Sequence, residues 1–240
     1  MNAQVSRRIL VWDLPTRLFH WLLVLSFAGA WLTAESERYR DLHVMLGYSL
    51  LGLIAFRLVW GFVGTRYARF KEFVRPPAAA MRYLKSLVSG KPEHYVGHNP
   101  AGAVAIVLLL LLGIASGISG WMTYNEMGGE WMEEGHELFS NLMLVVVGVH
   151  VIGVIVGSFA HRENLVRAMV TGIKYGEPEQ GIQKKNLLPA MLLLLSMAGI
   201  WSLWFNDKPG AGIQREMLSQ QNAEQGGEMH QRDKHKDHDD

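Results

Sequence analysis

Residues 136–150 read His136-Glu-Leu-Phe-Ser-Asn-Leu-Met-Leu-Val-Val-Val-Gly-Val-His150. Between the two imidazoles only Glu137 is charged. At 3.6 residues per turn, the step from His136 to His150 is close to four turns, or about 21 Å of rise. Both side chains therefore lie on one helix face at two depths. The apolar run continues to Ala160, and about 20 such residues cross the hydrocarbon of a bilayer. A histidine inside a membrane helix is costly and calls for a partner. The segment predicts a membrane helix offering two ligands to its neighbours.

Working outward, four more apolar runs appear, at about Leu18 to Ala34, Leu42 to Gly64, Pro100 to Tyr124 and Leu187 to Phe205. Helices satisfy their backbone hydrogen bonds internally, as a span requires. The expected fold class is all-α: an integral membrane helical bundle with a four-helix core and a fifth transmembrane helix. The core is expected over 1–175, a linker and the fifth helix over 176–205, and a polar, disordered tail over 206–240. That tail carries His230, His235 and His238, read as part of a solvated end rather than a metal site.

Composition agrees. Of 240 residues, 49% are hydrophobic, and the charges crowd between the apolar runs. A net charge of +1 gives no basis for nucleic-acid binding. The absence of cysteine excludes disulfides, zinc–thiolate sites, iron–sulfur clusters and covalently attached haem. Trp12, Asp13, Pro15 and Arg17 interrupt the approach to the first run, so it reads as a retained helix rather than a cleaved signal.

The loops give an orientation. Arg7, Arg8 and Arg17 precede the first run. Seven Lys and Arg, from Arg66 to Lys91, separate the second and third. Arg162, Arg167, Lys174, Lys184 and Lys185 separate the fourth and fifth. Basic loops stay cytoplasmic. The alternate loop holds Glu126, Glu130, Glu133 and Glu134 without Lys or Arg. The N-terminus is expected in the cytoplasm and the C-terminus in the periplasm of a bacterial inner-membrane protein.

Four histidines fall in or at the mouths of the runs. His43 and His136 open theirs on the periplasmic side, while His20 and His150 lie towards the cytoplasmic side. Two cross-bundle pairs result, His43 with His136 and His20 with His150. Each pair suits one haem iron, gripped from both sides. Two neutral imidazoles leave no open position, which favours electron transfer over oxygen binding. Taken singly, each histidine could be an interfacial residue capped by a carbonyl. Zinc or copper would instead call for ligands at a single depth. Arg57, 14 residues after His43, is expected either to meet a haem propionate or to snorkel to the headgroups. Gly47 and Gly52 would let a flat ring approach the backbone, and helix packing explains them nearly as well. His161 reads as a headgroup-level residue, and His94 and His98 as solvated loop residues.

The motifs Asp13-Leu-Pro-Thr-Arg-Leu-Phe-His20-Trp21, Leu42-His43-Val-Met-Leu-Gly47-Tyr48, Phe56-Arg57-Leu58-Val-Trp60-Gly61 and Gly97-His98-Asn99-Pro100, with the His136 and His150 pair, resemble the bacterial cytochrome b561 and nickel-hydrogenase b-type cytochrome family over residues 8–175. The resemblance implies two haem b groups with bis-histidine ligation, at His20, His43, His136 and His150. It also implies electron transfer between the membrane quinone pool and a redox partner. The fifth run and the tail depart from the four-helix pattern. The expected function is a dihaem conduit between quinone and a periplasmic partner such as a c-type cytochrome. The alternatives are a quinone-linked oxidoreductase acting on a small molecule such as superoxide, and a haem-free anchor or transporter.

Overall fold

A computed structural model describes residues 7–183 and 186–206 of the chain. It divides into two units, Met1–Met197 and Ala198–Asp240, the second described only through the end of one helix. The elements run β1 (Arg7–Leu10), α1 (Leu14–Thr33), α2 (Arg40–Val63), α3 (Phe70–Phe73), α4 (Pro77–Val88), α5 (Pro100–Tyr124), α6 (Glu130–Ala160), α7 (Leu165–Thr171), β2 (Ile173–Gly176) and α8 (Leu187–Asn206).

Local chemistry sets the helix starts. Asp13 caps α1 by accepting from the Thr16 amide at 2.8 Å, with Pro15 in the first turn. Asn99 caps α5 in the same way, accepting from the Gly102 amide at 2.7 Å ahead of Pro100. The helix α7 stops at Gly172, whose φ of +80° suits glycine. A side chain there would also meet the Trp12 carbonyl oxygen at 2.5 Å.

α5 packs along α6, α1 along α2, and α2 and α4 against α5. Among the described residues, four helices are long and apolar enough to cross a membrane: α2, α5, α6 and α8. Their outward faces carry exposed large apolar residues such as Val59, Leu111, Val145, Ile152 and Leu195. In water such a surface would be a liability; in lipid it is the solvated face. α1 has 20 residues, but Thr16, Arg17 and His20 dilute the apolar character of its first half.

The all-α expectation is corrected in one place. β1 and β2 pair antiparallel, with Arg8 opposite Tyr175 and Ile9 opposite Lys174. The ladder continues as Ile182 N–H donates to the Leu10 carbonyl at 2.8 Å. Ile9, Val11, Trp12, Tyr67 and Ala168 form a small core beneath it. The basic stretch between α2 and α5 is also no open loop: it folds into α3 and α4. His230, His235 and His238 lie outside the described residues.

Candidate functional site

The bundle has two polar ends. At one, α2 and α6 begin, and His43 meets His136 with ring centroids 6.1 Å apart and planes at 90°. Each ring is anchored by the same device. His43 Nδ1 lies 2.8 Å from the Ala30 carbonyl oxygen on α1, and His136 Nδ1 lies 2.8 Å from the Ser116 carbonyl oxygen on α5. A carbonyl only accepts, so each Nδ1 carries the proton and each Nε2 keeps a free lone pair. Such an outer hydrogen bond fixes the tautomer and orientation of metal-binding imidazoles. Two imidazoles on opposite sides of one metal, at about 2.0 Å each, have ring centres about 6 Å apart.

The surroundings leave room for this arrangement. A Cβ at Gly120 would come 2.8 Å from His136 Cε1 and 2.9 Å from its Nδ1, so only glycine lets the ring sit where it does. Gly47, one turn beyond His43, is half-buried, yet nothing lies within 4 Å of where its Cβ would be. That open strip of helix would admit a flat ring.

At the other end α1 and α5 begin and α2 and α6 finish. His20 and His150 lie within electrostatic range of each other. Both rings are half-buried, and His20 Nδ1 is sealed from solvent without a hydrogen-bond partner. Arg57 is 4% exposed. Its guanidinium lies over the rings of Phe70, at 4.9 Å, and Phe73, at 5.6 Å, while Nη1 is buried and unpaired. Snorkelling is thereby rejected, because α3 folds back over the side chain. Asp13, fully buried, ties this end together: it accepts from Trp60 Nε1 at 3.2 Å and from the Thr65 hydroxyl at 2.7 Å.

His98 corrects the reading of a solvated loop residue. Its ring packs between Trp12, 4.5 Å away, and Phe73, 4.7 Å away, and its Nδ1 is buried without a partner. Burial, then the Arg57 charge, pushes it down to about 3, so it is a neutral imidazole at physiological pH. The signal was in the motif. Asn99 caps α5, which pins the preceding residue against the bundle. Further out, His161 Nε2 and the Tyr83 hydroxyl share a hydrogen bond at 3.0 Å. Burial holds this histidine below its usual range and the phenol above its own.

Among the described residues, the buried side-chain polar atoms left without partners belong to Thr16, Arg17, His20, Trp21, Arg57, Arg69 and His98. All seven sit at this second end. Orphaned buried donors are expensive, and their concentration here fits an acidic group that accepts from them. The two carboxylates of a b-type haem are of that kind. Among the described residues, no three His, Asp or Glu side chains converge on one point. The histidines present are suited to gripping a group two at a time.

The model of the family described as prokaryotic cytochrome b561 matches residues 11–172. The chain belongs to that family. As a cytochrome b of the membrane, it binds haem b and transfers electrons. It is 26% identical over 212 residues to the "Probable Ni/Fe-hydrogenase B-type cytochrome subunit" of Azotobacter vinelandii, covering 68% of this chain and 87% of that protein. The protein of the same name from Rhizobium leguminosarum bv. viciae is 23% identical over 218 residues, covering 71% and 90%. The "Probable Ni/Fe-hydrogenase 1 B-type cytochrome subunit" of Escherichia coli K12 is 24% identical over 143 residues, covering 48% and 60%. No solved structure gives a significant match. The family match holds His20, His43, His136, His150 and Arg57, and it ends before α8.

Proposed function

We propose that this chain is a dihaem b-type cytochrome that moves electrons across the bacterial inner membrane between the quinone pool and a periplasmic redox partner. The observation that carries the reading is the His43 and His136 pair: two imidazoles 6.1 Å apart, each with its proton committed to a carbonyl at 2.8 Å. His43 and His136 would hold one haem, and His20 and His150 the second. Bound haem b supplies one-electron redox chemistry.

The protein's own groups do the rest. With His43 and His136 holding one haem and His20 and His150 the other, no position would be left for a small ligand, which would favour electron transfer over ligand chemistry. Ala30 and Ser116 lend their carbonyls to fix the outer pair. At the inner end, Arg57 and His98 bring a buried charge and a buried donor to whatever acidic group lies there.

The strand pairing supports α1 as a crossing helix. Residues 7–10 and 173–176 lie at one membrane face because they are hydrogen-bonded, so an even number of crossings separates them. α2, α5 and α6 make three; α1, at 20 residues and about 30 Å of rise, makes the fourth. With α8 this gives five spans, the basic loops in the cytoplasm and the C-terminus outside. The exposed Glu126, Glu130, Glu133 and Glu134 then face the periplasm. They suit a basic docking surface on a c-type cytochrome or an oxidoreductase. The relatives' names favour a hydrogenase-like enzyme as that partner.

Single variants test the ligand scheme. His43→Ala and His150→Ala should each remove one low-spin centre from the optical spectrum and leave the other. Retention of both centres in either variant refutes the pairing. Quinone reduction by superoxide with no protein partner would favour the oxidoreductase reading instead.

A further inference from the structure

Between the end of α6, α7 and the β1–β2 ladder lies a cavity of about 420 Å³. Arg8, Arg162, Arg167, Lys174 and Tyr175 line it. Lys174 is buried and already paired with Glu163 at 3.0 Å. The other three cations are different. Arg8, Arg162 and Arg167 are exposed, and none has an ion pair among the described residues. Three arginines lining one concavity without an ion pair leave it with an excess of positive charge, which an anion would offset.

Two simpler causes account for only part of this. The C-terminal dipole of α6 favours a cation nearby, which explains Arg162 alone. The cytoplasmic bias for Lys and Arg explains their side of the membrane, not their convergence. The φ of +50° at Arg162 belongs to the left-handed turn that ends α6, where the Arg162 and Glu163 amides donate to the Phe159 and Ser158 carbonyls, and so gives no separate support.

Apolar side chains on the flanking helices bear on what kind of anion fits. Phe159, 80% exposed, lies at the end of α6, and Val166 and Val170 are exposed one turn apart on α7. These side chains do not line the cavity but stand on the two helices that flank it, and a soluble anion gains nothing from them. A phospholipid does gain, because its phosphate would enter the cavity while its acyl chains run up α6. Guanidiniums match phosphate oxygens in paired geometry, and basic pockets beside membrane helices hold anionic headgroups. We infer that this cavity binds the headgroup of one anionic phospholipid through Arg8, Arg162 and Arg167. Its location at the membrane face rests on the helices crossing as proposed above.

The test is native mass spectrometry of the full-length haem-loaded protein in a neutral maltoside detergent. It is titrated with phosphatidylglycerol, phosphatidylcholine or inorganic phosphate. One phosphatidylglycerol should be retained per chain, with phosphatidylcholine and inorganic phosphate far weaker. Arg162→Gln combined with Arg167→Gln should weaken phosphatidylglycerol about 25-fold, roughly fivefold per arginine, with the haem spectrum unchanged as the check on folding. Equal retention of phosphatidylcholine overturns the inference, as does equally tight inorganic phosphate. So does unchanged phosphatidylglycerol binding in the double variant. The lipid comparison on the unaltered protein stands even if the variant fails to fold. Failure of lipid selectivity in a protein carrying two haems sinks this site alone.

Discussion

Gly120→Ala isolates the geometry of the outer histidine pair without removing a ligand. The added methyl would come within 2.8 Å of His136 Cε1 and 2.9 Å of its Nδ1, closer than van der Waals contact allows, so the ring must move. Moving it breaks the 2.8 Å bond from Nδ1 to the Ser116 carbonyl. A net hydrogen bond is worth about 1 kcal/mol, and a stranded buried partner raises the cost to as much as about 3. Loss of an outer hydrogen bond to a metal-binding histidine costs about 10–100-fold in affinity, which agrees with that range. The assay is haem titration of the apoprotein, followed by the absorption bands of the two centres. The outer centre should weaken by that factor while the inner one keeps its affinity. Gly148→Ala is the matched control, because nothing lies within 4 Å of a Cβ there. Two unchanged centres in Gly120→Ala, or equal losses in both variants, would refute the reasoning.

Arg57→Gln removes a buried positive charge that favours the reduced form. The midpoint potential of the inner centre should fall by about 60 mV, a tenfold change for one electron. A spectroelectrochemical titration reads this, with the outer centre as internal reference. Asp13→Ala strands the Thr16 amide, Trp60 Nε1 and the Thr65 hydroxyl. It should cost roughly 3 kcal/mol or more, seen as a lower thermal midpoint of the detergent-solubilised protein. The chain has no cysteine, so single cysteines report topology directly. In intact spheroplasts a membrane-impermeant maleimide should label Glu133→Cys and not Lys91→Cys; the reverse pattern inverts the orientation.

The helices were legible because each apolar run is bounded by residues with a fixed local role. Asn99 and Pro100 set the start of α5, and the expected run matches it at both ends. α6 begins at Glu130 rather than His136, because its acidic first turns carry the helix beyond the apolar stretch that revealed it. The ladder of β1 and β2 was not legible: two four-residue strands about 160 positions apart leave no periodicity to detect. Separation along the chain also hid the surroundings of His98. Its neighbours Trp12 and Phe73 come from segments that only the tertiary fold brings together. Spacing alone suggested the His43 and His136 pair, but not its anchors, since backbone carbonyls carry no sequence signature. Arg57 stood out as a charge in an apolar run, with a haem propionate and the headgroups both open as its destination, whereas its cover by Phe70 and Phe73 depends on α3 turning back.

The number of haem b groups per polypeptide in the purified protein bears most directly on the whole reading. Pyridine haemochrome absorbance set against quantitative amino-acid analysis should return two, both low-spin by electron paramagnetic resonance. A colourless protein from cells rich in iron and porphyrin, or a single high-spin centre, would contradict it.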